Sequence, residues 1–258
     1  MTGGDSTINV YSLGGEVVRT TELPQAFRKS YRPDMIRRAV TIERANRRQP
    51  YGPSKMAGMR HAVSTWGKGR GVARVQRLSQ GRAGAESPPN VGGRRAHPPV
   101  PEKQWDKRMN RKERGMARLS ALSATADPDV VRNRGHLFDA DLSLPLVVQD
   151  DIEQIGRTSE VMEALDSLGV GDDLDRAKVG KKVRAGRGKM RGRKFRRPLS
   201  LLIVVSDPNA PLRRAAANLP GVEAVPANML NTGLLAPGGD PGRLLLVSES
   251  AFEEIGGW

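Results

Sequence analysis

The sequence predicts an α/β fold, and three observations carry the prediction. Short, continuous apolar runs at residues 144–148, 200–205, 222–225 and 244–247 are typical of strands that are buried on both faces. Helical patterns lie between these runs, and such alternation implies right-handed crossovers. Residues 51–104 show neither period and are rich in Gly, Pro, Arg and Lys. We therefore expect a mostly parallel, Rossmann-like sheet flanked by helices, with a long irregular basic loop extension.

The N-terminal 50 residues predict a hairpin and then a basic helix. Ile8, Val10, Val17 and Val18 flank Gly14-Gly15, a pair that tolerates the positive φ of a tight turn. Asp34 is a candidate N-cap for a helix over residues 35–47. Ile36, Ala39, Val40 and Glu43 would share one face of this helix, at a period near 3.6.

After the irregular stretch, helices alternate with the four strands. Asn110 to Glu113 has the residue types of a capping box. It precedes a predicted helical face of Met116, Leu119 and Leu122. Thr158 is expected to cap a helix that buries Val161, Met162, Leu165 and Leu168. Residues 211–218 predict another helix, and residues 250–253 begin a last one.

These patterns divide the chain into three parts. Residues 1–50 belong to a globular body, residues 51–104 form an extended basic loop, and residues 105–258 complete the body, with a second basic arm at 180–197. A structureless stretch as long as 51–104 is normally either disordered or functional, and composition alone leaves both open.

The net charge of +15 is segregated along the chain. Residues 28–118 carry 24 Lys and Arg against 6 Asp and Glu, and residues 180–197 carry 10 basic residues and no acid. The remainder carries 9 basic and 22 acidic residues. Segregation of this kind favours dedicated polyanion-binding segments, with a disordered basic tail as the alternative.

The acidic remainder contains a single lysine, Lys178, and clusters its carboxylates at residues 149–153 and 171–175. An acidic, lysine-poor surface keeps a protein hydrated at high salt. We therefore expect a halophilic source.

Several kinds of chemistry are excluded or disfavoured. The chain has no cysteine, no apolar run long enough to span a bilayer, and no signal-peptide pattern at its N-terminus. The glycines of residues 67–71 follow no predicted strand, and no Gly-Lys-Ser/Thr occurs. His61, His97 and His136 have no Asp or Glu at metal-ligand spacing, so each is interpreted as structural or RNA-facing. Asp150-Asp151 is interpreted as solvated surface. No catalytic constellation and no cofactor site follow.

The two basic segments have the residue types of an RNA-binding surface. Residues 64–75 interleave Trp66 with glycines and spaced cations, and residues 184–194 repeat the alternation of glycine with cation. Glycine permits close backbone approach, tryptophan stacks on an unpaired base, and arginine binds phosphate through two parallel hydrogen bonds. A solvated flexible loop is the alternative. We expect the second segment to leave the sheet edge as an arm.

Five ordered motifs resemble one known family, large-subunit ribosomal protein four in its archaeal and eukaryotic form. They are residues 66–75; residues 92–99 followed by Trp105; Gly135-His136 ahead of 144–148; residues 184–193; and residues 235–239 with Gly242-Arg243 and 248–252.

The resemblance implies a structural constituent of the large ribosomal subunit that binds 23S-type rRNA and supports assembly. It implies a cytoplasmic protein at one copy per ribosome, without enzymatic activity, membrane contact or cofactor; only structural Mg²⁺ or monovalent ions could accompany the rRNA. Residues 51–104 would line the peptide exit tunnel, facing another ribosomal protein across its constriction, while the nascent peptide passes the loop.

The predicted RNA-binding residues are the cations, histidines and tryptophans of the two segments. They are Arg44, Arg47, Arg48, Lys55, Arg60, His61, Trp66, Lys68, Arg70, Arg74, Arg77, Arg82, Arg94, Arg95, His97, Trp105, Lys107, Arg108, Arg111, Lys181, Lys182, Arg184, Arg187, Lys189, Arg191, Arg193 and Lys194.

Two other classes of protein compete with this interpretation. One is an RNA-modifying enzyme of Rossmann type with a basic RNA-binding insert, which would need a cofactor loop after the first core strand. The other is a DNA-compacting architectural protein, which would bind duplex DNA as tightly as rRNA.

Overall fold

The computed structural model describes residues 7–258 and has a six-stranded, mostly parallel sheet with helices on both faces. The strands are β1 Thr7–Tyr11, β2 Val17–Glu22, β3 Val63–Ser64, β4 Arg77–Leu78, β5 Leu146–Val148, β6 Lys182–Val183, β7 Phe195–Arg196, β8 Leu202–Val205, β9 Glu223–Pro226 and β10 Leu245–Ser248. The helices are α1 Pro33–Asn46, α2 Arg111–Ser123, α3 Pro128–Arg134, α4 Thr158–Ser167, α5 Gly171–Val179, α6 Leu212–Ala216, α7 Thr232–Leu235 and α8 Glu249–Gly256. The predicted α/β class is confirmed.

The central sheet has the strand order β2-β1-β5-β10-β8-β9. Its neighbours pair in parallel except β1 and β2, which form the predicted N-terminal hairpin. The four strands predicted from apolar runs are all present. Each strand begins one or two residues after the start of its run. The first residues of the runs, such as Leu144 and Leu244, are buried but lie outside the hydrogen-bonded part of the sheet.

Alternate residues of each central strand enter different cores. On one face, Leu146, Ile203 and Leu246 pack with the inner residues of α4, α5 and α6. On the other face, Val147 and Val204 pack with α1, α2 and α8. Burial on both faces is why the strands are continuous apolar runs rather than alternating ones.

Two predicted helix starts are wrong in detail. Asp34 lies inside the first turn of α1, which begins at Pro33, because proline is favoured at the first helical position. The Asp34 carboxylate pairs with Arg32 at 2.8 Å. Thr158 is the first residue of α4, not its cap, and its hydroxyl donates to the carbonyl of Ala215 at 3.0 Å.

Two predicted core residues are also wrong, since Met116 and Met162 are exposed. Helix α2 instead buries Ala117, Ala121 and Leu122, a face turned by about one residue from the predicted one. The Asn110 side chain caps α2 by accepting from the amide of Lys112 at 3.2 Å. Helices α3, α5 and α7 were not predicted.

Arg243 is fully buried just before β10 and bonds to the ends of several elements. Its guanidinium donates to the carbonyls of Ser200, Leu201, Gly221 and Leu234 at 2.8 to 3.3 Å. It also pairs with Glu223 at 2.5 Å. Burial lowers the pKa of Arg243, and the Glu223 carboxylate opposes that shift. The motif Gly242-Arg243 therefore has a structural role.

The chain forms two compact units, one from the described residues up to Arg44 together with Arg108–Trp258, and one from Ala45–Lys107. We call the first unit the body. Regular structure in Ala45–Lys107 beyond the end of α1 is limited to the short antiparallel pair β3 and β4. Within residues 7–258, none of the helices has both the length and the apolarity needed to cross a membrane.

Candidate nucleic-acid interface

In Ala45–Lys107 the outgoing and return limbs of the chain contact each other. The Asn46 side chain bonds to both backbone groups of Lys107, at 2.9 and 3.1 Å. The Lys55 ammonium lies 2.8 Å from the Glu102 carboxylate. Thirteen Lys and Arg against three Asp and Glu give this unit a strong positive charge. This unit buries little apolar surface, so ion pairs and hydrogen bonds to the backbone supply most of its internal contacts.

Both tryptophans of this unit are partly buried beneath cations. The guanidinium carbon of Arg77 lies 5.2 Å from the ring centre of Trp66. Arg48 and Lys103 lie 4.7 and 4.5 Å from the ring centre of Trp105. A cation over the face of an indole ring attracts it electrostatically. These contacts therefore fix the position of each tryptophan ring in the protein without a bound partner.

Gly67, Gly69 and Gly71 alternate with Lys68 and Arg70, and all three have positive φ, between 66° and 78°. Among residues 7–258, beyond their chain neighbours, no atom lies within 4 Å of a Cβ built on these glycines. Residues that carry a side chain rarely adopt this backbone conformation, so these positions favour glycine. The backbone here is therefore open to close approach by a partner.

The 27 predicted RNA-binding residues lie at the surface. Twenty-three are exposed, and the other four, Trp66, Arg77, Arg94 and Trp105, are partly buried. Sixteen of the 19 in the first segment lie in Ala45–Lys107, whereas Arg44, Arg108, Arg111 and all eight of the second segment lie in the body.

The second segment forms a short hairpin arm, in which β6 and β7 pair antiparallel. Lys181 and Lys194 lie 4.5 and 5.5 Å from the ring centre of Phe195. The arm leads into β8, which has neighbours on both sides, so the expected departure from the sheet edge is wrong. The apolar run alone could not reveal that β9 pairs outside β8.

Four cations that the sequence did not single out line a groove at the base of this arm. They are Arg134, Arg176, Arg196 and Arg197, and the groove also includes Lys182 of the predicted set. Arg196 and Arg197 could have been found as members of the basic run 180–197. Arg134 and Arg176 lie outside the two basic segments, so only the fold brings them to the groove.

A buried cluster around Asp173 supports the groove from within. Its carboxylate accepts from Arg176 at 2.9 Å, from Ser200 at 2.5 Å and from the amide of Leu137 at 3.0 Å. The ring nitrogen Nδ1 of His136 lies 3.1 Å away. Asp173 and His136 are therefore structural, and Asp173 does not belong to the acidic surface to which the sequence assigned the cluster 171–175.

The pKa of Asp173 should make stability depend on pH. Burial raises this pKa, but the bonds from His136, Arg176 and Ser200 outweigh it and hold the pKa below its ordinary value. A lowered folded-state pKa stabilises the fold above the unfolded-state pKa near 4, and this stabilisation is lost as the pH falls below it.

We expect Asp173→Asn to destabilise the full chain by about 2 kcal/mol at pH 7, because it weakens several charge-assisted hydrogen bonds. The gap from the natural protein should narrow between about pH 5 and pH 2. Urea unfolding across that range measures it, with the exposed Asp172→Asn as control. A gap independent of pH would refute the assignment.

Carboxylates also occupy the carboxyl ends of the central strands, where α/β proteins commonly bind ligands. Buried Glu153 accepts from the amide of Ser206 at 2.7 Å and from the hydroxyl of Ser248 at 2.5 Å. Asp150 accepts from the amide of Ser250 at 2.9 Å. Two of the acids of 149–153 are thus engaged, and their negative charge disfavours a nucleotide phosphate there. Residues 7–258 contain no cluster of three or more His, Cys, Asp and Glu that could hold a metal ion.

The α/β body has exposed arginine-rich segments, and carboxylates occupy the carboxyl ends of its central strands. These features define the class of polyanion-binding proteins rather than that of nucleotide-dependent enzymes. The model of the ribosomal protein L4/L1 family matches residues 21–258. The chain belongs to this family.

Curated relatives align with nearly the full length of the chain. Large ribosomal subunit protein uL4 of Archaeoglobus fulgidus is 47% identical over 249 residues, which are 96% of this chain and 98% of that protein. The protein of the same name from Methanothrix thermoacetophila is 50% identical, and that from Haloquadratum walsbyi is 48% identical, each over 246 residues. Each of these two alignments covers 95% of this chain and 97% of the relative.

Proposed function

We propose that the chain is a structural constituent of the cytoplasmic large ribosomal subunit, where it binds rRNA and neighbouring ribosomal proteins. The observation that carries this proposal is the near-complete alignment with large ribosomal subunit proteins at 47–50% identity. The surface position of all 27 predicted RNA-binding residues supports it. The alternatives, an RNA-modifying enzyme and a DNA-compacting protein, have no support from these matches.

The assignment is tested by sedimenting a native lysate and quantifying the chain by mass spectrometry. We expect one copy per large subunit, retained through a stringent salt wash. Recovery mainly in free fractions would reject the assignment. Binding of purified chain to duplex DNA as tightly as to large-subunit rRNA would favour the architectural alternative.

We further propose that residues 51–104 form a basic loop extension that lines the peptide exit tunnel, opposite another ribosomal protein, where the nascent peptide passes. The positive charge of this unit and the open glycine backbone at 67–71 support a partner rich in phosphate. The remaining residues, 1–50 and 105–258, would form a Rossmann-like globular part of the chain with its arm at 180–197. Structural Mg²⁺ or monovalent ions would arrive with the rRNA.

Trp66 is proposed to stack on an unpaired base of the rRNA. We expect Trp66→Ala to weaken binding of rRNA by roughly 1 to 3 kcal/mol, the usual contribution of one stacked base. Filter binding of the full chain measures it, with Trp66→Phe as a control that keeps an aromatic face. Equal losses for both variants, or no loss for either, would contradict stacking.

The acidic, lysine-poor remainder of the chain supports a halophilic source. The relatives from Archaeoglobus, Methanothrix and Haloquadratum are 47%, 50% and 48% identical to this chain, so sequence identity does not distinguish a halophilic source from the others. If the source is halophilic, circular dichroism of the full chain should record loss of fold as KCl falls well below about 1 M, since screening of carboxylate repulsion is then lost. A fold indifferent to KCl would remove the proposal.

A further inference from the structure

The groove at the base of the arm has a volume of about 720 Å³, and five of its eleven lining residues are Lys or Arg. Arg134 comes from α3, Arg176 from α5, and Lys182, Arg196 and Arg197 from the arm and its return to β8. Asp240 is the one acid in the lining, and Arg37 lies 3.7 Å from its carboxylate. The groove therefore has a large excess of positive charge.

Most of these cations have no carboxylate partner. Within residues 7–258, no carboxylate lies within 4.0 Å of Arg134, Lys182, Arg196 or Arg197. Burial lowers the pKa of Arg134, and the neighbouring charge of Arg243 lowers it further. Like charges held this close together raise the free energy of the protein alone, and an anion in the groove would relieve that repulsion.

The two innermost guanidinium groups are already oriented. Arg134 donates to the carbonyls of Pro237 and Pro241 at 2.9 and 3.3 Å. Arg176 is held by Asp173 at 2.9 Å and by the carbonyl of Leu199 at 2.9 Å. Preoriented donors lose little conformational entropy on binding. This order distinguishes the groove from a patch of freely moving surface lysines.

The groove continues along the arm. A second concave surface, lined by Arg184, Arg193 and backbone of the arm, shares Lys182 and Arg196 with the groove. A ligand with one phosphate would need only the first surface, whereas a phosphodiester backbone could follow both. The shape thus favours a polynucleotide over a small anion.

We propose that this groove binds consecutive phosphates of the rRNA backbone and anchors the body independently of residues 45–107. The inference rests on the proposed ribosomal function and adds to it a site in the body, with Arg134 and Arg176 as its fixed floor. Arginine forks that meet phosphate oxygens supply position rather than base specificity.

The test compares Arg196→Gln/Arg197→Gln with the control Arg157→Gln/Arg214→Gln, both in the full chain. All four arginines are exposed, and the control makes the same charge change elsewhere on the body. The probe is large-subunit rRNA purified from the same organism, and the readout is affinity against salt concentration. Loss of two phosphate contacts should reduce the slope of log K against log salt by about 1.4 to 1.8. Where circular dichroism shows that the full chain is still folded near 0.2 M salt, the change should weaken binding there roughly tenfold.

The outcomes separate this site from the proposed function. A lower slope for the groove variant alone supports the site. Equal slopes for both variants, with the natural chain still binding rRNA, overturn the site and leave the function standing. Failure of the natural chain to bind rRNA rejects both. Unchanged rRNA binding with lost association of neighbouring ribosomal proteins would assign the groove to an acidic protein segment instead.

Discussion

Arg243→Met should lower the free energy of unfolding by about 3 to 5 kcal/mol, because it leaves several buried carbonyl groups without a donor, at about 1 to 3 kcal/mol each. Arg243 is fully buried and supplies hydrogen bonds to four backbone carbonyls. Methionine fills a similar volume but donates nothing, so these carbonyls would lose a donor inside the protein.

Urea unfolding of the full chain measures this effect, with Arg214→Met as the exposed control. Glu223→Gln separates the ion pair from the carbonyl contacts. The Glu223 side chain is 43% exposed, so its replacement should cost less than that of Arg243. If Glu223→Gln were as destabilising as Arg243→Met, the ion pair rather than the carbonyl bonds would hold these elements together.

Deletion of residues 51–104 should leave a folded body that no longer supports normal subunit assembly. The clustered core residues of the body all lie outside this range, so its packing should survive. The Asn46 side chain bonds to the backbone of Lys107, so the two limbs lie close together near the cut and a short glycine linker should join them. The deletion removes most of the predicted RNA-binding residues of the first segment.

The deletion is measured in two ways, by thermal unfolding of the purified variant and by sucrose-gradient profiles of cells that depend on it. We expect a cooperative unfolding transition together with depleted or aberrant large subunits. A matched control retains the loop but replaces the exposed Arg60, Lys68 and Arg70 with Gln, which tests charge without removing chain. Normal assembly and translation with the deletion would refute the proposed role of the loop.

Local patterns in the sequence were sufficient to predict the four central parallel strands, but not their order in the sheet. The apolar runs that end at Val148, Val205 and Val247 form parallel strands. Burial on both faces of the sheet demands continuous apolar residues, and such a run can be recognised in a short window of sequence. The same windows failed for Met116 and Met162, which have suitable chemistry but face solvent. Periodicity gives the angular spacing of a helical face, but the neighbouring elements decide which face turns inward.

The charged residues also divide into those whose role the sequence determined and those whose role only the fold decided. The sequence by itself determined that two arginine-rich segments are set in an otherwise acidic remainder, because the charge of each segment is a sum over its residues and needs no fold. Only the tertiary structure decided that Asp173 and Glu153 are buried partners rather than solvated acids. It alone brought Arg134 and Arg176 to one groove. A buried charge is stable only with partners, and those partners come from distant parts of the chain, so no local pattern specifies them.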